Sequence, residues 1–196
     1  TILHDAKQKA FALGLELIED EGLANEVMGL AEWPVVLIGQ IDPAFMDVPP
    51  EILQTSMRTH QKYFALLKAD GSLAPRFVAV ANMLTDGGGK AVIAGNERVL
   101  RARLSDARFF FEEDKKVPLA QRVDALKAVV YQQKLGTSFE KVERFTALAT
   151  ALAGQLAPSE CETVARAAFL CKADLVTGMV GEFPEVQGIM GREYAL

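Results

Sequence analysis

The hydrophobic period of this chain changes near residue 90, and that change limits what it can fold into. From Lys90 onward Val92, Ile93, Val99, Leu100, Leu104, Ala107 and Phe111 keep the 3.6-residue spacing of an amphipathic helix. Pro118 opens a further helical segment in which Leu119, Val123, Leu126 and Val130 form one stripe before Gly136 stops it. Thr137-Ser138-Phe139-Glu140 fits a capping box ahead of Val142, Phe145, Ala149 and Leu152. Ser159-Glu160-Cys161-Glu162 fits another, ahead of Val164, Ala168, Cys171 and Leu175. Helices joined by such short breaks imply an antiparallel bundle.

Before residue 90 the pattern is mixed. Ala6 to Ile18 has a helical period through Ala10, Leu13, Leu17 and Ile18, and Glu19-Asp20-Glu21-Gly22 ends it. Pro34 precedes Val35-Val36-Leu37-Ile38-Gly39, a short apolar run with the character of a buried strand. Asp47-Val48-Pro49-Pro50-Glu51 feeds a helix with proline at its first position and Ile52, Leu53 and Met57 as its apolar face. Lys62 to Leu67 and Phe77 to Ala81 flank Asp70-Gly71, a hairpin signal whose primed turn needs positive φ. The expected fold class is α+β. A mixed module with a small antiparallel sheet covers residues 1–89, a bridging helix 90–116 and a helical domain 117–196. The run Phe109-Phe110-Phe111 cannot fit one apolar stripe, so it is expected to seat the bridging helix against both domains.

Half of the 196 residues are hydrophobic and 24% are charged, enough to bury a core and too ordered in composition for a disordered chain. No apolar run approaches a membrane span of roughly 18 residues. Cys161 and Cys171, ten apart on a helical pattern, suggest buried free thiols in a reducing cytoplasm rather than a disulfide. The first residue is not Met, and the last 25 residues hold two Gly-x-x-Gly steps, Gly178/Gly181 and Gly188/Gly191, around Glu182-Phe183-Pro184-Glu185. Both ends are expected to be cuts in a longer protein. The paired glycines signal tight turns or close backbone approach.

Net charge is −5, which argues against a globally basic nucleic-acid binder. It is unevenly spread: residues 90–144 carry 12 Lys/Arg against 8 Asp/Glu, a local +4, and the remainder carries 9 against 18, or −9. Contact with a polyanion is therefore expected through the central third.

Asp86-Gly87-Gly88-Gly89-Lys90 does not make a phosphate loop. That motif needs a glycine where Leu84 stands and Ser or Thr where Ala91 stands. Both histidines, His4 and His60, lie in the first half, and neither cysteine has an evident base nearby, so no complete catalytic site is expected. Arg58, His60 and Lys62, beside Tyr63 and Phe64, suit phosphate and stacked bases, but cations at a helix C-terminus followed by core strand residues are the better-supported reading. Arg98, Arg101, Ser105 and Arg108 share one face of the Lys90 helix, opposite Leu100, Leu104 and Phe111. Such a row can engage successive phosphates, or it can be a solvated face with Glu97–Arg101 and Arg108–Glu112 pairs; both readings stay open. Lys134, Lys141 and Arg144 are the remaining candidates for backbone contact.

Several strings resemble the β subunit of bacterial tetrameric glycyl-tRNA synthetase. They are His60-Gln61-Lys62-Tyr63-Phe64, Phe77 to Asn82 after Asp70-Gly71, Gly95-Asn96-Glu97-Arg98-Val99-Leu100, and Arg103 to Asp114. Lys134-Leu135-Gly136-Thr137 with Lys141-Val142-Glu143-Arg144, and Lys172 to Ala195, continue the family's order. The resemblance implies an internal piece of a cytoplasmic subunit that supplies tRNA recognition and assembly. A separate α subunit would hold the class II site that activates glycine with ATP and Mg²⁺, and the two would form a heterotetramer acting on tRNA-Gly. No cofactor is expected in this piece. The resemblance also implies that residues 117–196 begin a helical domain like the HD phosphohydrolases. Leu170-Cys171-Lys172-Ala173-Asp174 offers only Asp174 where a His-Asp pair would stand, which implies a degenerate site used for binding. The alternative reading is a structural connector that docks the α subunit without touching RNA. Its mark would be an exposed apolar patch at Phe109–Phe111 and Gly178–Gly191.

Overall fold

The computed structural model describes residues 1–83 and 85–196; Leu84, where a phosphate loop would need its first glycine, lies outside them. The fold is α+β, in two compact units, Thr1–Arg108 and Phe109–Leu196.

In the first unit α1 (Ile2–Phe11) leads to β1 (Glu16–Leu17) and α2 (Glu21–Leu30). The helical period expected through Ile18 breaks at Gly14. With φ +69, Gly14 closes a helix end in which Leu15 N–H donates to Ala10 O and Gly14 N–H to Phe11 O. Leu17 is then buried in a strand, not a helix. Strand β2 (Val35–Gln40), α3 (Pro50–Thr55), β3 (Phe64–Leu67) and β4 (Leu73–Ala81) follow. The sheet is antiparallel in the order β1-β3-β4-β2. One face buries Val36, Phe64, Leu66 and Val78 with Ala6 and Ala10 of α1 and Leu23 and Val27 of α2. On the other, Phe77 stacks on Tyr63 at 4.6 Å and occupies the space left by the missing side chain of Gly39.

The β3–β4 turn differs from the primed turn expected. Gly71 alone takes positive φ (+80), Gly71 N–H donates to Lys68 O, and Lys68 N–H donates to Ser72 O. This is a three-residue loop with a glycine bulge, fixed by the Asp70 carboxylate accepting from Ser72 N–H at 2.9 Å. Helix α3 runs on into a π-helical turn, Ser56–Gln61, that ends at Lys62 with φ +59. Helix α4 (Lys90–Lys115) gives its residues up to Arg108 to this unit, burying Leu100, Leu104 and Ala107.

In the second unit the long helix expected after Pro118 is absent. Helix α5 (Leu119–Arg122) tightens into a 3-10 segment, Val123–Ala128. The chain then extends as β5 (Val130–Gln132) and turns into β6 (Gly136–Thr137). Leu119, Val123 and Leu126 are buried with Val142, Leu170 and Ala173, but Val130 is 67% exposed. Helix α6 (Ser138–Leu156) starts on the expected capping box at Thr137 and Glu140. No box forms at Ser159: Pro158–Glu160 is a 3-10 turn, and α7 (Cys161–Leu170) begins after it without a side-chain cap. Both cysteines are free, as expected, but Cys161 is half-buried and Cys171 exposed, because α7 ends one residue before Cys171.

The glycine block is organised by two buried carboxylates. Asp114 accepts from the N–H groups of Gly178 (2.9 Å) and Met179 (2.8 Å), which open α8 (Gly178–Glu182), and from the Tyr194 hydroxyl (3.1 Å). The Arg122 guanidinium lies 3.3 Å from the same carboxylate. Asp174, fully buried, accepts from Gly188 N–H and from Gly191 N–H (3.1 Å) at the start of α9 (Ile189–Ala195). Three of the four glycines thus have a stated cause. A Cβ on Gly178 would stand 2.8 Å from Phe110, Gly188 has φ +82, and a Cβ on Gly191 would stand 3.2 Å from Asp174 Oδ2. Gly181 meets nothing. Burial and the Asp114 charge drive the Tyr194 hydroxyl far above the ordinary phenol range.

Candidate nucleic-acid interface

The β5–β6 hairpin and the first turns of α6 gather three of the candidate cations. Gly136 permits the turn: its φ is +87, and a Cβ there would overlap the Glu140 carboxylate. That carboxylate accepts from Thr137 N–H (2.6 Å), while Thr137 Oγ1 accepts from Glu140 N–H (3.2 Å). On the other side of the turn Gln132 Oε1 accepts from the N–H groups of Lys134 (2.7 Å) and Leu135 (3.1 Å). Ser138 N–H donates to Val129 O at 2.8 Å, which ties the hairpin base to the helix. These bonds fix a short two-stranded ribbon that could not stand alone.

Residues 141 and 144, three apart, lie on the helix face that meets this ribbon. The Lys141 ammonium sits 3.6 Å from the Tyr131 ring centroid, and Arg144 Nη2 donates to Leu135 O at 3.1 Å. Lys134 lies in the turn and is exposed. Arg144 retains further N–H donors for a planar anion. Glu143 falls off this face by helical spacing, and Glu140 is held in the capping box. The positive field is visible in Tyr131, whose hydroxyl is held below the usual phenol value by hydrogen bonding with Lys141 and then by the charges of Lys141 and Arg144. The patch combines cations with an exposed ring, a pairing suited to phosphates and unstacked bases.

The other candidates occupy different surroundings. Arg58 pairs with Asp20, which also caps α2 by accepting from Leu23 N–H, and the Arg58 contact lowers the Asp20 pKa. Lys62 pairs with Glu26 at 2.7 Å, and His60 lies half-buried in the π-helical turn. On α4, Arg101 pairs with Asp42 at 2.8 Å, and Arg108 reaches Asp47 (3.0 Å) and Ala44 O (2.9 Å). Glu97 accepts from Gln40 N–H at 2.8 Å. The face carrying the arginine row is thereby tied to residues 40–47 of its own unit, with Arg98 exposed beside it. Lys141 and Arg144 contact the hairpin and Lys134 lies in its turn; the arginines of α4 are a separate set. Tyr131 escaped the sequence reading, although Val129-Val130-Tyr131 ahead of Gly136 is a β-prone run before a turn residue.

The apolar surface is also distributed otherwise than the connector reading anticipates. Met179, Val180, Phe183, Val186 and Met190 of the glycine block are buried, and only Phe109 of the phenylalanine run is strongly exposed, at 59%. Phe110 packs at Gly178 and Phe111 stacks on Tyr194, both within the second unit. In the first unit Met28, Leu30, Trp33 and Met83 are each at least 60% exposed. Among the described residues no three His, Cys, Asp or Glu side chains are placed to hold a metal ion, and no helix is long and apolar enough to cross a membrane.

The model of the family described as "Glycyl-tRNA synthetase beta subunit" matches residues 1–196. The chain is 60% identical over 196 residues to the glycine–tRNA ligase beta subunit of Geobacter sulfurreducens, covering all of this chain and 28% of that protein. It is 58% identical over 196 residues to the corresponding subunit of Trichlorobacter lovleyi, with the same coverage. The subunit of Rhodospirillum centenum is 59% identical over 196 residues, covering 99% of this chain and 28% of that protein. The chain spans a little over a quarter of these relatives, and it belongs to the glycyl-tRNA synthetase beta subunit family.

Proposed function

We propose that this chain is the part of a glycyl-tRNA synthetase β subunit that touches tRNA-Gly through the β5–β6 hairpin and helps assemble the enzyme. Glycine activation with ATP and Mg²⁺ takes place on a separate α subunit of a cytoplasmic heterotetramer. The carrying observation is that Lys141 lies against the exposed Tyr131 ring and Arg144 is bonded to the same hairpin, with Lys134 exposed in its turn. Arg98, exposed on α4, is a further candidate for phosphate contact. Arg58, His60, Lys62, Arg101 and Arg108 are weaker contributors, since Arg58, Lys62, Arg101 and Arg108 already hold carboxylates of their own chain.

Subunit assembly is supported by Met28, Leu30 and Trp33, three large exposed apolar side chains within six positions. The HD-like reading of the helical unit is that of a binding fold. Its remaining carboxylate, Asp174, is fully buried and spends Oδ2 on two backbone amides.

Each neutralised phosphate steepens the salt dependence of binding. Filter binding of tRNA-Gly to the assembled enzyme, with Lys134, Lys141 and Arg144 replaced together by Ala, is expected to weaken affinity and make the slope of log K against log salt shallower by about 2 to 3. Unchanged slope and affinity would leave the chain as a connector without RNA contact.

A further inference from the structure

Tyr131 is 48% exposed in a ribbon whose ends are both tied to α6. Among the described residues Lys115 lies over Phe111 at 4.8 Å and Lys127 over Phe139 at 4.7 Å, but those rings are half-buried. The Tyr131 ring is the exposed one, and its cation is closer, at 3.6 Å. An ammonium on one face fixes the ring's orientation and draws electron density toward that face. Tyr131 stays 48% exposed, with the Arg144 charge also acting on its hydroxyl and Lys134 in the adjoining turn.

We propose that Tyr131 is a stacking platform for one unpaired nucleobase of the bound RNA, with Lys134, Lys141 and Arg144 holding the phosphates on either side. This rests on the hairpin being an RNA contact. The ligand must be unpaired, because in an A-form helix the base faces are hidden in the stack, whereas loops and single-stranded ends present them. No hydrogen-bonding edge is read, so the site accepts any base. Arg144 is anchored to the hairpin turn by its bond to Leu135 O, and its remaining donors are left for a phosphate of the same strand.

The test uses the assembled enzyme, a tRNA-Gly transcript and three variants at Tyr131, with affinity measured at several salt concentrations. Tyr131→Phe keeps the ring and is expected to bind within about twofold of the parent. Tyr131→Trp enlarges the ring and is expected to bind at least as well. Tyr131→Leu keeps apolar bulk in an exposed strand but removes the ring; it should lose about 5- to 100-fold in affinity with the salt slope unchanged. Transcripts carrying 2-aminopurine in a loop or in the single-stranded 3′ end distinguish the source of the base. Fluorescence quenching that needs the aromatic ring at 131 identifies it.

If Tyr131→Leu binds like the parent while the Lys134/Lys141/Arg144 variant has a shallower slope, the platform is wrong and the phosphate contact stands. If neither variant changes binding, both fall. A loss in Tyr131→Phe as large as in Tyr131→Leu would overturn the proposal as well, since the hydroxyl and not the ring face would then make the contact.

Discussion

Replacing Asp114 by Ala removes one acceptor group that serves four partners. Two are backbone amides, Gly178 and Met179, the second of them buried. The third is the Tyr194 hydroxyl, and the fourth is Arg122, whose side chain is only 15% exposed and whose nearest carboxylate would vanish. A buried donor left without a partner costs about 1–3 kcal/mol. Loss of one member of a buried ion pair costs about 3–5 kcal/mol. These overlap, because Arg122 keeps its bond to the Asp114 backbone carbonyl at 2.8 Å. The expected destabilisation is therefore about 3–5 kcal/mol, and about 1–3 kcal/mol for Asp114→Asn, which keeps one acceptor oxygen. Amide hydrogen exchange over residues 174–191 measures this locally. At about 1.4 kcal/mol per decade, protection in Asp114→Ala should fall by at least two orders of magnitude. Protection unchanged within threefold would refute the claim that Asp114 holds the glycine block.

The four glycines of that block should respond differently to Ala. Gly178→Ala should cost about 1–3 kcal/mol through the clash with Phe110, and Gly188→Ala about 1–2 kcal/mol through its positive φ. Gly181→Ala, inside α8 with open space around it, should be neutral or stabilising by up to about 1 kcal/mol; the same exchange experiment ranks them. Tyr194 makes a pH prediction. Its folded pKa is raised, so its contribution is present below the unfolded value of about 10 and is lost as pH rises beyond it, when only the unfolded chain gives up the proton. Stability of the second unit should fall between pH 9 and 11.5, and Tyr194→Phe should flatten that fall.

Features set by local chemistry are legible in the sequence. The Thr137–Glu140 capping box, the Lys90 helix and the buried Val35 run each depend on residues within one or two turns. What escaped depends on partners far along the chain or on very short elements. A single Gly14 ended a periodic string that otherwise continued through Leu17 and Ile18. A two-residue strand, β6, turned an apparent helical stripe into the Val130–Thr137 hairpin. The arginine row on α4 has its own period, but Asp42 and Asp47 lie about 60 positions away, so its ties were invisible to spacing arguments. Tyr131 gains its setting only when Lys141 is brought over its ring. The glycine block was legible as special backbone, whereas its two organisers, Asp114 and Asp174, became apparent only from the hydrogen bonds.

The most direct measurement of the central claim is amide hydrogen exchange of the assembled enzyme with and without tRNA-Gly, followed over residues 129–144. If the hairpin is an RNA contact, these amides gain protection on tRNA addition, and the gain disappears when Lys134, Lys141 and Arg144 are replaced together. Protection elsewhere in the enzyme with no change over 129–144 would contradict it.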